Sequence, residues 1–260
     1  MNIVQKLKYK IKALFNHKAI NKILVVAGME RLVKASEGLW KNYTIVPGKT
    51  EQEIAGYSHI TGIQEVIDAT HQNIQACFNN YFRDKISASV LDIGCGPGLY
   101  LKDFPQGIKK YGVDLSSKML AIARKNNPDG TFYEGQFLHI NFNSTFDLIY
   151  LVGVLQYFTP TQINSFFKKS CSLLNKGSIL YISYPHAISK NDLSYPDINY
   201  IHYSPGYLNK AASEYFEVIQ NKHISEDRSI SDYDHTPASP PKGIERTYLN
   251  SSVFIGKKKD

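Results

Sequence analysis

Features that mark secreted, membrane-spanning or metal-clustered proteins are scarce in this chain. Its three cysteines, Cys77, Cys95 and Cys171, are odd in number and lack metal-ligand spacing. That excludes a disulfide framework and a cysteine metal site, and suits free thiols in a reducing compartment. Long apolar runs are missing too. Lysines interrupt the N-terminal segment through position 22, so no signal-peptide core is present and a cytoplasmic location is expected. The longest uncharged run, residues 148–167, is broken by Gln156, Pro160, Thr161, Gln162 and Asn164, and reads as strand, loop and helix rather than a span. Acid is absent before Met29, where Lys6, Lys8, Lys10, Lys12, Lys18 and Lys22 account for almost all of the formal charge of +7. Beyond them acid and base nearly balance, which argues against a nucleic-acid partner. No internal repeat or low-complexity tract appears.

What remains is an ordinary globular composition over 260 residues, with 43% hydrophobic and 20% charged residues, room for one or two domains. From about residue 86, apolar or β-branched runs at 85–93, 110–114, 131–134, 146–152 and 178–183 alternate with helical patterns at 117–125 and 161–174. Thr159-Pro160 supplies a cap and a first-turn proline for the latter. Alternation of this kind predicts an α/β fold with a mostly parallel, doubly wound sheet. Further on, 204–214 reads as helix, and 215–220 and 252–256 as strands. Between those strands, 225–245 is a long polar loop. Residues 1–83 read as a mainly helical extension, with a capping box at 50–53 and an amphipathic stretch at 63–82, placed before a domain of residues 84–260.

The strongest chemical signal is Val90-Leu91-Asp92-Ile93-Gly94-Cys95-Gly96-Pro97-Gly98-Leu99-Tyr100, an apolar strand running into a glycine-rich turn. Glycines allow a ligand to approach the backbone and permit unusual dihedrals. Twenty residues after Gly94, Gly112-Val113-Asp114 ends the next strand with an acid able to accept bonds from ribose hydroxyls. A dinucleotide fingerprint would want its third glycine at Leu99. Asp92, two residues before the first glycine, suits a ligand with an ammonium group and does not suit a pyrophosphate. An NAD(P)-dependent oxidoreductase and a non-catalytic cofactor-binding adaptor are the competing readings.

The G-x-G-x-G spacing after Asp92 resembles motif I of the class I S-adenosylmethionine-dependent methyltransferases. Gly112 to Leu120, Phe146-Asp147-Leu148-Ile149-Tyr150 and Leu173 to Leu180 look like later motifs of that family, in its order, so the resemblance covers about residues 88–185. It implies a Rossmann-like sheet of seven strands with the last antiparallel, and S-adenosyl-L-methionine as cofactor. It also implies roles: Asp92 with Gly94, Gly96 and Gly98 for the methionine part, Asp114 for the ribose, Leu115 for one face of the adenine, and Gln136 with Phe137 for its edge. Gln136 departs from the acid often found at or beside that position. Whole-chain flavour, including Ser183-Tyr184-Pro185-His186, is similar to bacterial methyltransferases of cell-surface glycan synthesis, so a sugar or glycan hydroxyl is the expected acceptor.

Deprotonating a hydroxyl acceptor calls for a base near the carboxyl ends of the strands, and His186, Tyr157 and Tyr203 are the candidates. Cys95 is read as a packed loop residue. Tyr57 and His59, between Gly56 and Gly62, mark either a helix–helix turn or a cover for the cofactor. Asp232, Asp234 and His235 are too loosely spaced for a metal site, and none is expected. Residues 3–15 put Ile3, Val4, Leu7, Ile11, Leu14 and Phe15 on one helical face opposite lysines, the pattern of either an interfacial helix at the inner membrane face or a helix packed on its own domain.

Overall fold

The computed structural model describes residues 34, 37–43, 45, 50, 63–85, 87–187, 193–194, 201–223 and 249–260. The 3–15 segment, Tyr57, His59 and the 225–245 loop lie outside them. No described helix is long and apolar enough to cross a membrane.

Seven strands form one sheet in the order β3-β2-β1-β4-β5-β9-β8. They are β1 (Ser89–Ile93), β2 (Lys109–Asp114), β3 (Thr131–Glu134), β4 (Phe146–Val152), β5 (Leu174–Ala187), β8 (Phe216–His223) and β9 (Leu249–Lys258). A short pair, β6 (Leu193–Ser194) and β7 (His202–Tyr203), lies apart from it. β1 to β5 run parallel, and only β9 is antiparallel to its neighbours on both sides. This is the seven-stranded arrangement that the sequence resemblance implies.

Burial explains the strands. Every residue of β1 is buried, as expected for a central parallel strand covered on both faces. One face packs against α1 (Ile63–Phe82), whose Ile67, Ile74, Cys77, Phe78 and Phe82 join Val90, Leu148, Tyr150, Ile179 and Tyr181. The other packs Leu91, Ile93, Ile149 and Leu180 against Ile163, Phe166 and Phe167 of α3 (Pro160–Leu173) and Leu208 and Ala212 of α4 (Pro205–Ala212). Helix starts follow the expected chemistry. Thr159 and Gln162 form a full capping box ahead of Pro160, Ser204 caps α4, and Ser116 caps α2 (Ser117–Asn126).

Some boundaries differ from expectation. β1 starts at Ser89 rather than at 85, and the Lys85 ammonium ahead of it reaches Asp147 at the amino end of β4. β5 starts four residues early. Its pairing jumps from Phe146↔Leu174 to Leu148↔Ile179, and Gly177, at φ 71°, sits in the intervening bulge. β5 also ends four residues late, as 185–187 pair with 249–251 of β9.

Candidate functional site

Parallel register brings the glycine turn and both carboxylates to one edge. Ile93 pairs with Val113 at the end of β2, and the Gly94 and Cys95 N–H groups continue the ladder by donating to the Val113 carbonyl at 2.7 and 3.1 Å. The turn therefore lies against Asp114. Asp114 Oδ2 accepts the Gly96 N–H at 2.9 Å and Oδ1 accepts the Ser116 N–H at 2.8 Å. Each oxygen keeps a further lone pair for a ligand hydroxyl. Burial raises the Asp114 pKa, and the N–H groups of Ser116, Gly96 and Leu115 partly offset it.

Two glycines are required for different reasons. Gly94 has φ +70°, and a Cβ there would lie 2.4 Å from Val154 Cγ2, in the loop after β4. Gly96 has φ +49°, and a Cβ there would meet nothing within 4 Å. Open space at Gly96, beside Asp114, is room for a ligand against bare backbone. The turn itself is closed by the Gly98 N–H donating to Cys95 O at 2.8 Å. Cys95 is buried, and desolvation drives its thiol well above the usual range, which makes it a packing residue rather than a nucleophile.

Asp92 is the anomaly. It is 1% exposed, and its Oδ2 has no hydrogen-bond partner among the described residues. β4 places Tyr150 directly across from it. Burial pushes the Asp92 carboxyl well up, with the Asp114 charge adding to that and the Tyr150 hydroxyl pulling it down. A buried carboxylate oxygen without a donor is costly, and a cationic ligand group beside it would offset the cost. An ammonium for Asp92, a diol for Asp114 and open backbone at Gly96 together fit an aminoacyl-nucleoside.

The remaining expected residues are distributed unevenly. Leu115 follows Asp114 and is partly exposed. Gln136 follows β3, whose end is tied to β2 by the Gly135 N–H donating to Asp114 O at 2.9 Å. Phe137, at 3% exposure, turns its ring into the core against Phe142 and Phe166, so it offers the site only backbone. Tyr157, half-buried after β4, meets the Trp40 ring edge-on with centroids 6.3 Å apart. His186 lies in β5 opposite Asn250, and its side chain is outside the described residues. Tyr203 is 1% exposed, and its hydroxyl donates to the Phe158 carbonyl at 2.6 Å. Burial drives its phenol far up, so it is a core residue and not a base.

Three residues escaped the sequence reading. Glu37 accepts from Gln136 Nε2, across 99 residues. Trp40, in the same helical turn at 37–41, stacks on Tyr43 and has a buried Nε1 without a partner among the described residues. Gln156 is buried, donates Nε2 to Gly153 O at 2.7 Å and has no partner for its Oε1 among the described residues. Among the described residues no group of acids, histidines and cysteines could hold a metal.

Residues 90–177 match a family model described as a methyltransferase domain. Among curated proteins, a trans-aconitate 2-methyltransferase of Afipia carboxidovorans is 33% identical over 100 residues, 37% of this chain and 38% of that one. A dTDP-3-amino-3,6-dideoxy-alpha-D-glucopyranose N,N-dimethyltransferase of Streptomyces fradiae is 34% identical over 64 residues, 24% and 25% of the two chains. The chain thus spans well under half the length of either relative. Among solved structures, magnesium protoporphyrin IX methyltransferase of Synechocystis PCC 6803, with S-adenosyl-homocysteine bound, aligns with a TM-score of 0.56 at 14% identity, over 88% of this chain and 100% of that one. The N-methyltransferase NodS of Bradyrhizobium japonicum WM9, bound to S-adenosyl-L-homocysteine, aligns at 0.53 and 11% identity, over 74% and 88%. Sheet order, glycine turn and matched segment agree: the chain has the class I, Rossmann-like methyltransferase fold, with residues 90–177 matching its methyltransferase domain.

Proposed function

We propose that this protein is an enzyme that transfers a methyl group from S-adenosylmethionine to a small acceptor, a hydroxyl of a sugar or glycan intermediate. The observation that carries the reading is the buried Asp92 carboxyl, whose Oδ2 lacks a hydrogen-bond partner among the described residues, together with the open space at Gly96 and the anchored Asp114. Asp92 would take the cofactor's ammonium group, with Gly94, Gly96 and Gly98 supplying backbone along the methionine part. Asp114 would hold the ribose hydroxyls, Leu115 one face of the adenine, and Gln136 with the Phe137 backbone its edge. When bound, the cofactor supplies a methyl group made electrophilic by the adjoining sulfonium. Because charge is lost during transfer, the chain's task is to align the acceptor and exclude water rather than to supply a strong acid.

His186, near the carboxyl end of β5, and Tyr157, past β4, are the groups proposed to receive the acceptor's proton. The sugar acceptor is supported by the relative from Streptomyces fradiae, which methylates a dTDP-linked amino sugar. The alternation of lysines with apolar residues in the sequence of 3–15 supports a protein that works at the inner membrane face, where a lipid-borne glycan would be met. Deleting residues 1–18 should then reduce association with anionic liposomes and leave turnover of a soluble acceptor intact. Equal partitioning of both forms would reject that placement.

Titration calorimetry with S-adenosylmethionine, S-adenosylhomocysteine and NAD tests the cofactor, and binding of NAD alone would refute the proposal. Asp114→Ala should weaken S-adenosylhomocysteine binding by about 1–3 kcal/mol, the worth of charged hydrogen bonds to a buried carboxylate. Unchanged affinity would remove Asp114 from the site. Transfer of a radioactive methyl group into fractionated cell glycans tests the acceptor, and label found only in other fractions would refute it.

A further inference from the structure

The Gln136 side chain carries an unresolved demand. Its carbonyl Oε1 is shielded from solvent and receives no hydrogen bond from the described residues. Its Nε2 donates to Glu37. A carboxylate can only accept, so Glu37 settles which end of an otherwise symmetric-looking amide faces it. The NH2 group turns to Glu37 and the carbonyl is left facing away. A buried carbonyl without a donor is costly, and such a group is tolerated where a ligand completes the bond.

Position matters as much as polarity. Gln136 follows directly on Gly135, whose N–H donates to Asp114 O just past the end of β3, and so belongs to the part of the cleft assigned above to the base. Glu37 comes from outside the 90–177 match, on a turn whose Trp40 rests edge-on against Tyr157. That turn therefore touches both the loop after β3 and the loop after β4.

We propose that Glu37 is a positioning residue that locks the Gln136 amide, so that its carbonyl accepts from an exocyclic amine of the bound base and rejects a base with an oxo group there. The inference rests on the S-adenosylmethionine reading and deepens it. A glutamine alone could present either end to the ligand and would accept both kinds of base. Paired with Glu37, it acts as a pure acceptor, which is what a carboxylate at position 136 would be. A 6-aminopurine gives it a donor, whereas a 6-oxopurine sets two carbonyl oxygens against each other.

The test is calorimetric binding of S-adenosylhomocysteine and its 6-oxo analogue, S-inosylhomocysteine, to the full chain, with ligand-free melting as a check on folding. The wild type should prefer the amino compound, and Glu37→Ala and Glu37→Gln should each shrink that preference about tenfold or more. The double variant Gln136→Glu with Glu37→Gln should restore the preference, because the partners have exchanged roles. That rescue also reads out the idea if Glu37→Ala melts early. Wild-type preference in both single Glu37 variants, or no rescue in the double variant, would overturn it. Gln136→Ala separates the levels. If it weakens binding while Glu37 variants keep full preference, only the role of Glu37 fails, whereas unchanged affinity in Gln136→Ala removes position 136 from the base site altogether.

Discussion

Replacing Asp92 by asparagine keeps its shape and removes its charge, and the consequences run in opposite directions for folding and for binding. Without ligand, burial foremost, and then the Asp114 charge, hold the Asp92 carboxyl well above its ordinary pKa. The folded chain thus keeps this proton at pH values where the unfolded chain, with an ordinary aspartate pKa of about 3.9, has released it. The stability this gives is full below that value and is lost as pH rises through the folded-state pKa, with a slope of at most about 1.4 kcal/mol per pH unit. Asp92→Asn has no such slope. In urea unfolding across a pH series, it should gain on the wild type through that window and level off about 1–3 kcal/mol or more ahead, the cost of a buried group without a partner. Binding should go the other way, with affinity for S-adenosylhomocysteine falling about tenfold or more as a charge-assisted contact is lost. Below the raised pKa, wild-type binding should release a proton, seen as a dependence of the calorimetric heat on buffer ionisation. Asp114, Cys95 and Tyr150 also surround this carboxyl, so the difference between wild type and variant isolates Asp92. Parallel stability curves at every pH, or the same proton release in both proteins, would refute the reasoning.

Tyr203→Phe should leave turnover within about twofold and cost about 1 kcal/mol of stability, since the hydroxyl serves the Phe158 carbonyl. A loss of turnover of about a hundredfold in steady-state assays would instead put the phenol in the reaction. Asp147 is pushed up by burial, but Lys85, Asn175 and the Ser89 N–H outweigh that and hold it below its ordinary range. Asp147→Ala should cost about 2–3 kcal/mol in urea at neutral pH. Because the folded-state pKa is depressed, that difference should be present above the unfolded value of about 3.9 and vanish as pH falls through the folded one. A gap that persists in acid would show that the cost is packing and not charge.

Periodicity made the sheet legible, because central strands such as β1 are buried throughout and helices announce themselves by caps such as Thr159 and Ser204. Asp92, the glycines and Asp114 could be read as one site because a short strand pair sets them side by side. Tyr203 could not be placed the same way. It sits between His202 and Ser204, and only the backbone path shows that its ring turns inward. Asp147 belonged to a recognisable motif, yet its partners Lys85, Ser89 and Asn175 make it a structural tie at the opposite end of β4. Glu37 was invisible for the plainest reason: a bond spanning 99 residues leaves no pattern in spacing.

The contact between Gly94 and Val154 makes position 154 one-sided. The valine methyls fill the volume a side chain at 94 would need, so the first bend of the glycine turn and the loop after β4 share one surface. A smaller residue at 154 would open a void beside the bend. A larger one would have to shove it aside. Any change at 154 is therefore felt at the glycine turn as well, whereas Gln156 and Tyr157, two and three residues further along, meet the Gly153 carbonyl and the Trp40 ring instead.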